Sequence, residues 1–216
     1  MKIDKKDALE AVQEIGLYIC PELVDSQTVS AIKEQTIELF KTKGTDDYKF
    51  GTAMNLGGIA EQDGPIGDFF NRDEFHDMAA SYGLVDGRAV MATHEYRNDQ
   101  GIERNGDLHF DRTHTFKFFL YLTDCYENDG AFRYCPKSRS LGETLRQQAT
   151  HAVNANYGSI ANRMEIDYPH LNYTAQEAKP LEGPAGTLFI FDTDTLHMGG
   201  ILQDGHERMV IRSHYV

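Results

Sequence analysis

Apolar positions near the start of the chain recur with helical spacing. The pattern over residues 4–15 predicts a first helix, and a second is predicted from Asp25 or Ser26 to about residue 43. A third, short helix is predicted across residues 71–83. The first part of the chain, about residues 1–82, is therefore expected to be helical.

After that point the pattern changes to short apolar runs separated by turn residues. The runs are rich in β-branched and aromatic residues and read RAVMATHEYR, THTFKFFLYLTD, GAFRYCP, GTLFIFDTDTLH and HERMVIRSHYV. Strands this closely spaced favour an antiparallel sandwich or jelly roll over about residues 83–216. Residues 141–180 follow neither period and are expected to form a long, partly helical insertion. Because no repeat or linker is evident, residues 1–216 are expected to form a single domain.

The charge and the cysteines restrict the class of partner. With 34 acidic against 21 basic residues, the formal charge is -13, which disfavours binding to nucleic acid or to an anionic membrane surface. No segment has the apolar core of a signal peptide or the length of a membrane span. Cys20, Cys125 and Cys135 are far apart, so they are expected to be reduced thiols of a cytoplasmic protein. A small-molecule substrate is the expected partner.

The stretch LHFD places His109 and Asp111 at alternate positions, shortly before an aromatic strand. Residues i and i+2 of a strand point to the same face, so the imidazole and the carboxylate are expected to project together. They would supply two ligands of the 2-His-1-carboxylate triad, which holds non-haem Fe(II) and leaves open positions. Taken alone, the pair is equally consistent with polar residues in a turn that leads into a strand.

Two residues near the end of the sequence extend this pattern. His197 follows the run LFIFDTDTL and precedes two glycines, which makes it the candidate third ligand. Arg208 lies eleven residues further on, at the start of the last predicted strand. A guanidinium can hold a carboxylate through two parallel hydrogen bonds. Arg208 is therefore the candidate for the distal carboxylate of 2-oxoglutarate, should that be the electron-donating co-substrate.

In this order, the segments resemble the phytanoyl-CoA dioxygenase family of Fe(II)- and 2-oxoglutarate-dependent oxygenases. ALEAVQEIGLYICPELVDSQTVSAIKEQT resembles the family's opening helix, strand and second helix, and LHFD matches its H-x-D motif. YLTDCYENDGAFRYCPKSRSLG resembles its Asn-x-Gly turn and Pro-x-Ser segment, while GPAGTLFIFDTDTLHMGG and ERMVIRSHY resemble its distal-histidine and arginine strands. The likeness covers most of the chain and adds specificity to H-x-D, which is a weak motif on its own.

The resemblance implies a mainly β fold, a double-stranded β-helix (cupin-like jelly roll) with the N-terminal helices packed on one sheet. It implies Fe(II) on His109, Asp111 and His197, 2-oxoglutarate on Arg208, and O2 as the oxidant. The implied reaction is hydroxylation of an unactivated C–H bond of a small molecule, with release of succinate and CO2. The carboxylate of Asp111 argues against halogenation, since related halogenases lack it, whereas desaturation and ring formation stay open. Residues 141–180 are expected to cover the substrate as a lid.

Alternative assignments exist for two of these residues. His114 competes with the proposed ligands, but it has the wrong strand parity relative to His109 and is expected to lie outside the triad. Arg212 rivals Arg208 because both lie on the same face of the last strand. If Arg208 holds 2-oxoglutarate, Arg212 would bind substrate or form an internal salt bridge.

Lys117 and Thr93 are further candidate contacts of 2-oxoglutarate. Lys117 shares the parity of His109, and because lysine is rarely buried unpaired, it is expected either to pair with a carboxylate or to reach solvent. Thr93 lies on the preceding strand, where the family tends to contact 2-oxoglutarate. Phe119 is a candidate neighbour of the co-substrate. The chain departs from the family at PKSR (residues 136–139), where Pro-Gly-Ser-His is frequent, and at Gly199, where a small polar residue is usual.

Two other functional classes share these features. The first is a cupin-like binding or isomerase domain that holds a divalent metal without oxygen chemistry, because one fold supports several functions. A buried guanidinium at Arg208 would be needless in such a domain and therefore favours the oxygenase. The second is a non-catalytic homologue, against which the complete set of four groups argues. The sequence leaves the substrate and the oligomeric state open.

Overall fold

The computed structural model describes residues 3–43, 53–59, 62–84, 88–96, 108–156, 163–165 and 173–216. The helices are α1 (Lys5–Ile15), α2 (Ser26–Lys43), α3 (Pro65–Phe70), α4 (Asp73–Ser81) and α5 (Arg139–Asn156). The strands are β1 (Leu17–Ile19), β2 (Ala53–Leu56), β3 (Arg88–Tyr96), β4 (His109–Asp111), β5 (Phe116–Tyr121), β6 (Arg133–Tyr134), β7 (Arg163–Glu165), β8 (Lys179–Pro180), β9 (Leu188–Asp192), β10 (His197–Met198) and β11 (Glu207–Tyr215). Within these residues, no helix combines the length and apolar character needed to cross a bilayer.

The ends of the first helix follow from local chemistry. The side chain of Asp4 accepts hydrogen bonds from the backbone N–H groups of Lys6 and Asp7, which satisfies free donors of the first turn. Gly16 ends the helix with φ 94°, in the left-handed region that glycine tolerates. A Cβ atom at Gly16 would lie 2.1 Å from the Thr195 hydroxyl oxygen, so glycine also permits close contact with the chain just before His197.

Two short helices lie within residues 62–84, and one of them was predicted across residues 71–83. The predicted helix is present as α4, which begins at Asp73, and α3 (Pro65–Phe70) precedes it as a further short helix that was not predicted. Pro65 occupies the first position of α3, where its missing N–H has no helical partner to lose. The predicted stop of α2, Gly44, lies outside the described residues.

Two antiparallel sheets form the core of the fold. The larger has the strand order β1-β9-β5-β11-β3-β2, and the smaller has the order β7-β4-β10-β6-β8. Every strand pair is antiparallel, and the crossing order is that of a jelly roll, so the predicted fold class is confirmed. The segment 141–180 contains most of α5, all of β7 and β8, and residues outside the described part.

Each face of the larger sheet has its own apolar core. The outer face packs against α1 to α4, with Phe75 of α4 stacked on Phe118 of β5 at 4.1 Å between ring centroids. The inner face meets the smaller sheet through an aromatic cluster that includes Phe132, Phe189 and Phe191. Alternation along the strands separates the two sets. Polar side chains on the inner face therefore point into the space between the sheets.

Candidate metal centre

The predicted triad is brought together because β4, which carries His109 and Asp111, is a neighbour of β10, which carries His197. His109 and His197 are direct cross-strand partners, and their ring centroids lie 4.4 Å apart. The Nε2 atoms of His109 and His197 lie 3.9 and 3.7 Å from the same oxygen, Oδ1 of Asp111. The structure thus brings together all three residues that the sequence proposed as metal ligands.

His197 is fixed in orientation by a hydrogen bond and is uncharged, as a metal ligand requires. Its Nδ1 lies 2.7 Å from the backbone oxygen of Thr195, which fixes the ring and leaves Nε2 directed towards Asp111. Burial, followed by the nearby His109, lowers the pKa of His197 to about 3. At neutral pH the imidazole therefore carries no proton that a metal would have to displace.

Asp111 is shared between the histidines and a lysine. Its Oδ1 faces the two imidazoles, while Lys117 Nζ donates to Oδ2 at 2.5 Å. Burial alone would raise the pKa of Asp111, but Lys117 and then His197 outweigh it and hold the pKa well below the usual range. The carboxylate is therefore ionised, and Lys117 is paired with a carboxylate, which is one of the two expected settings; its contact with 2-oxoglutarate stays a prediction.

This donor set fits a divalent metal. Ligand atoms of the three side chains all lie within 4.8 Å of one another. Three facial ligands at about 2.1 Å from a six-coordinate metal would lie about 3 Å apart. The two separations between imidazole nitrogen and carboxylate oxygen, 3.9 and 3.7 Å, would therefore shorten by about 1 Å on metal binding. Two imidazoles and one carboxylate on one side match the non-haem Fe(II) triad, which leaves the other positions open.

A second cluster, formed by His114, Asp192 and Asp194, does not fit a metal. Arg139 Nε donates to Asp192 Oδ2 at 2.6 Å, and Arg146 holds Asp194 through two hydrogen bonds of 2.6 and 2.9 Å. His114 Nε2 lies 3.0 Å from Asp192 Oδ1, outside the triad as expected, although the residue lies between β4 and β5 and strand parity is not the cause. The guanidinium groups already balance both carboxylates, so this cluster ties α5 to the turn before His197.

Arg208 lies on the inner face of β11 and already forms hydrogen bonds within the protein. One Nη group donates to the carboxylate of Glu95, and the other donates to the backbone oxygen of Gly130. Its Nε is buried and, among the described residues, has no hydrogen-bond partner. A buried donor without an acceptor costs about 1–3 kcal/mol, so this atom fits one further acceptor, such as an oxygen of a bound carboxylate.

Arg212 and Thr93 form a second polar group on the same face. Arg212 Nη1 donates to Thr93 Oγ1 at 2.7 Å, and this hydroxyl donates to Asn55 Oδ1 at 2.8 Å. The guanidinium also lies 5.6 Å from the centroid of the Phe119 ring. Thr93 is therefore bound to the arginine that rivals Arg208, and Phe119 lies beside it.

Sequence reasoning missed two features of this region. Glu95 was not singled out, although alternation places it on the same strand face as Thr93 and this could have drawn attention to it. The contacts of Asp192 were also missed, since they join side chains from separate elements. The DTDT segment before His197 was the available signal, because acidic residues packed that closely need compensating cations.

The sequence matches a family model, "Phytanoyl-CoA dioxygenase (PhyH)", over residues 12–210. The chain belongs to the phytanoyl-CoA dioxygenase family. No curated protein matches it at a significant level.

Solved structures of similar fold cover nearly the whole chain. The epimerase SnoN, in complex with Fe3+, alpha ketoglutarate and nogalamycin RO, superposes with a TM-score of 0.71 at 11% identity, over 98% of this chain and 83% of SnoN. HygX from Streptomyces hygroscopicus, with nickel, 2-oxoglutarate and hygromycin B bound, gives 0.63 at 13% identity, over 97% and 86%. The carbocyclase SnoK gives 0.61 at 14% identity, over 97% and 83%. At these identities the likeness shows the fold.

Family and site together bear on the functional prediction. An enzyme dependent on iron and 2-oxoglutarate is supported, and the predicted cofactors, Fe(II), 2-oxoglutarate and O2, agree with the family and with the His-Asp-His group. Hydroxylation is not confirmed, because the structural neighbours include an epimerase and a carbocyclase.

Proposed function

We propose that this member of the phytanoyl-CoA dioxygenase family oxidises an unactivated C–H bond of a small molecule, most simply by hydroxylation, with conversion of 2-oxoglutarate to succinate and CO2. The observation that carries the proposal is the convergence of His109, Asp111 and His197 on one buried point between the sheets. Fe(II) bound there would supply the activation of O2, a chemistry that no side chain of the protein provides.

Each residue of the site has a separate task in this proposal. His197 presents a neutral nitrogen, His109 presents a second imidazole nitrogen, and Asp111 supplies a negative charge through Oδ1. Lys117 holds Oδ2 at 2.5 Å, so Asp111 would offer a bound metal only its other oxygen, Oδ1. The aromatic rings of Phe132 and Phe191 lie 5.6 and 5.2 Å from the ring of His197 and exclude water from that side.

Arg208 is proposed to hold the distal carboxylate of 2-oxoglutarate. Its buried Nε lacks an acceptor among the described residues, and its guanidinium geometry suits a carboxylate. Arg212, held by Thr93, is the alternative residue for this task and otherwise a candidate for contact with the substrate.

Other parts of the proposal concern the setting of the enzyme. A carboxylate at Asp111 favours hydroxylation over halogenation, while desaturation, epimerisation or ring closure would use the same centre.

We propose one catalytic domain over residues 1–216, with the segment 141–180 as a substrate lid. A cytoplasmic location is supported by the three free, buried cysteines.

A second candidate is a cupin-like metal-binding or isomerase domain without oxygen chemistry. One observation favours it: Arg208 already has an internal counter-ion in Glu95, as a purely structural arginine would. The two candidates differ in whether 2-oxoglutarate reaches the metal.

Anaerobic absorption spectroscopy separates them. Purified metal-free protein is titrated with Fe(II) and then with 2-oxoglutarate, and the oxygenase is expected to develop a weak visible charge-transfer band only when both are present. His197→Ala should abolish the band, whereas His76→Ala, an exposed histidine of α4, should leave it unchanged. Tight metal binding by the wild-type protein without any such band would refute the oxygenase and leave the metal-binding candidate.

A further inference from the structure

The ion pair between Arg208 and Glu95 is built into the larger sheet. The two residues are direct cross-strand partners on β11 and β3, and both point to the inner face. Their side chains are 11% and 8% exposed, so the pair is largely removed from water. Burial alone would lower the pKa of Arg208, but the charge of Glu95 outweighs it and the pKa is raised. The arginine is thus charged and already neutralised before any co-substrate binds.

The guanidinium has donors for another anion, but that anion would lie close to the carboxylate of Glu95. Of its five N–H donors, one on each Nη group serves Glu95 or Gly130. The buried Nε has no acceptor among the described residues. A carboxylate entering at this edge would gain that hydrogen bond, but it would also meet the negative charge of Glu95 on the same guanidinium.

We propose that Glu95 competes, within the protein, with the distal carboxylate of 2-oxoglutarate for Arg208. It thereby sets the affinity for 2-oxoglutarate and the selectivity against 2-oxo acids that lack the distal carboxylate. The inference rests on the proposed function, because it assigns Arg208 to the co-substrate. Two carboxylates that share one buried cation repel each other in a region of low dielectric. The enzyme therefore binds 2-oxoglutarate more weakly than the arginine alone would allow, and it discriminates less against 2-oxo acids that lack the distal carboxylate.

Glu95→Gln tests this, because the direction of the change in Kd for 2-oxoglutarate differs between a glutamate that competes for Arg208 and one that only orients it. Glutamine keeps the shape and one accepting oxygen for Arg208 but removes the charge. Competition predicts that the Kd for 2-oxoglutarate falls by about tenfold, as expected for removal of a nearby like charge. A glutamate that merely orients Arg208 would instead give a higher Kd or no change when replaced.

The measurement is the anaerobic charge-transfer titration of the Fe(II) protein with two probes, 2-oxoglutarate and 2-oxovalerate. The second compound keeps the 2-oxo acid but has a methyl group in place of the distal carboxylate, so its Kd should not respond to Glu95→Gln. Glu207→Gln is the matched control, because Glu207 is adjacent to Arg208 in sequence but is half-exposed and contacts His94. It should leave both Kd values within about twofold.

Each outcome has a distinct meaning. A higher or unchanged Kd for 2-oxoglutarate in Glu95→Gln overturns the inference, as does an equal change for both probes. If that variant does not fold, Glu95→Asp retains the charge at a greater distance from Arg208, and a Kd lowered by a few-fold is expected, whereas an unchanged Kd overturns the inference. If wild-type protein shows no band with either 2-oxo acid, the proposed function fails together with the inference. If the band with 2-oxoglutarate is lost on replacement of Arg212 but not of Arg208, the inference is refuted while the proposed function stands.

Discussion

Replacement of Asp192 by asparagine should destabilise the protein in a pH-dependent way. The carboxylate is fully buried and accepts hydrogen bonds from Tyr82 Oη at 2.6 Å and Arg139 Nε at 2.6 Å, with His114 Nε2 at 3.0 Å. Burial alone would raise the pKa of Asp192, but these partners, His114 first, lower it from 3.8 to about 2. The charge of Asp192 is therefore a stabilising feature of the turn that leads to His197.

The size of the effect follows from this difference in pKa. A shift from 3.8 to about 2 corresponds to about 2 kcal/mol of stability. Because the folded-state pKa is the lower one, this contribution is complete well above pH 3.8 and is lost as the pH falls towards 2. About 1 kcal/mol of it should already be missing at pH 3. Asp192→Asn should thus lower the free energy of unfolding by about 2 kcal/mol at pH 6 and by about 1 kcal/mol at pH 3.

Urea unfolding followed by far-ultraviolet circular dichroism at the two pH values provides the assay, since the chain has no tryptophan for fluorescence. Asp77→Asn, at an exposed position of α4, is the matched control and should change the free energy of unfolding by less than about 0.5 kcal/mol at both pH values. An equal destabilisation by Asp192→Asn at pH 6 and pH 3 would refute the electrostatic reasoning.

Two further predictions concern single lysines. Lys137 has φ 66° and an exposed side chain, so Lys137→Gly should raise the free energy of unfolding by about 0.5–1 kcal/mol in the same urea assay; destabilisation would contradict the assignment of strain to this position. Lys117→Met removes the cation beside Asp111 and should destabilise the metal-free protein by about 3 kcal/mol. Because a bound metal resupplies positive charge, Mn(II) should raise the melting temperature of Lys117→Met by more than that of the wild-type protein, and equal increases would argue against this role.

Local patterns in the sequence account for the elements and for the metal ligands. Asp4 and Gly16 bound the first helix through hydrogen bonding and backbone geometry that neighbouring residues decide. The alternation of side chains along a strand placed His109 and Asp111 on one face. Family-like spacing supplied His197 and Arg208. Where two residues of a site lie on one strand, or within a recurring motif, the sequence was sufficient to nominate them.

Only the tertiary structure determined the partners of these residues. The contact between Glu95 and Arg208 requires the register of β3 against β11, and the salt bridge from Arg139 to Asp192 requires α5 to pack over the turn after β9. For Lys117 the sequence predicted a carboxylate partner or exposure to solvent, and only the tertiary structure identified that partner as Asp111. A strand's period fixes which face a charged side chain occupies. Its partner depends on which distant strand lies alongside and in which register, and that is decided by the packing of the whole core.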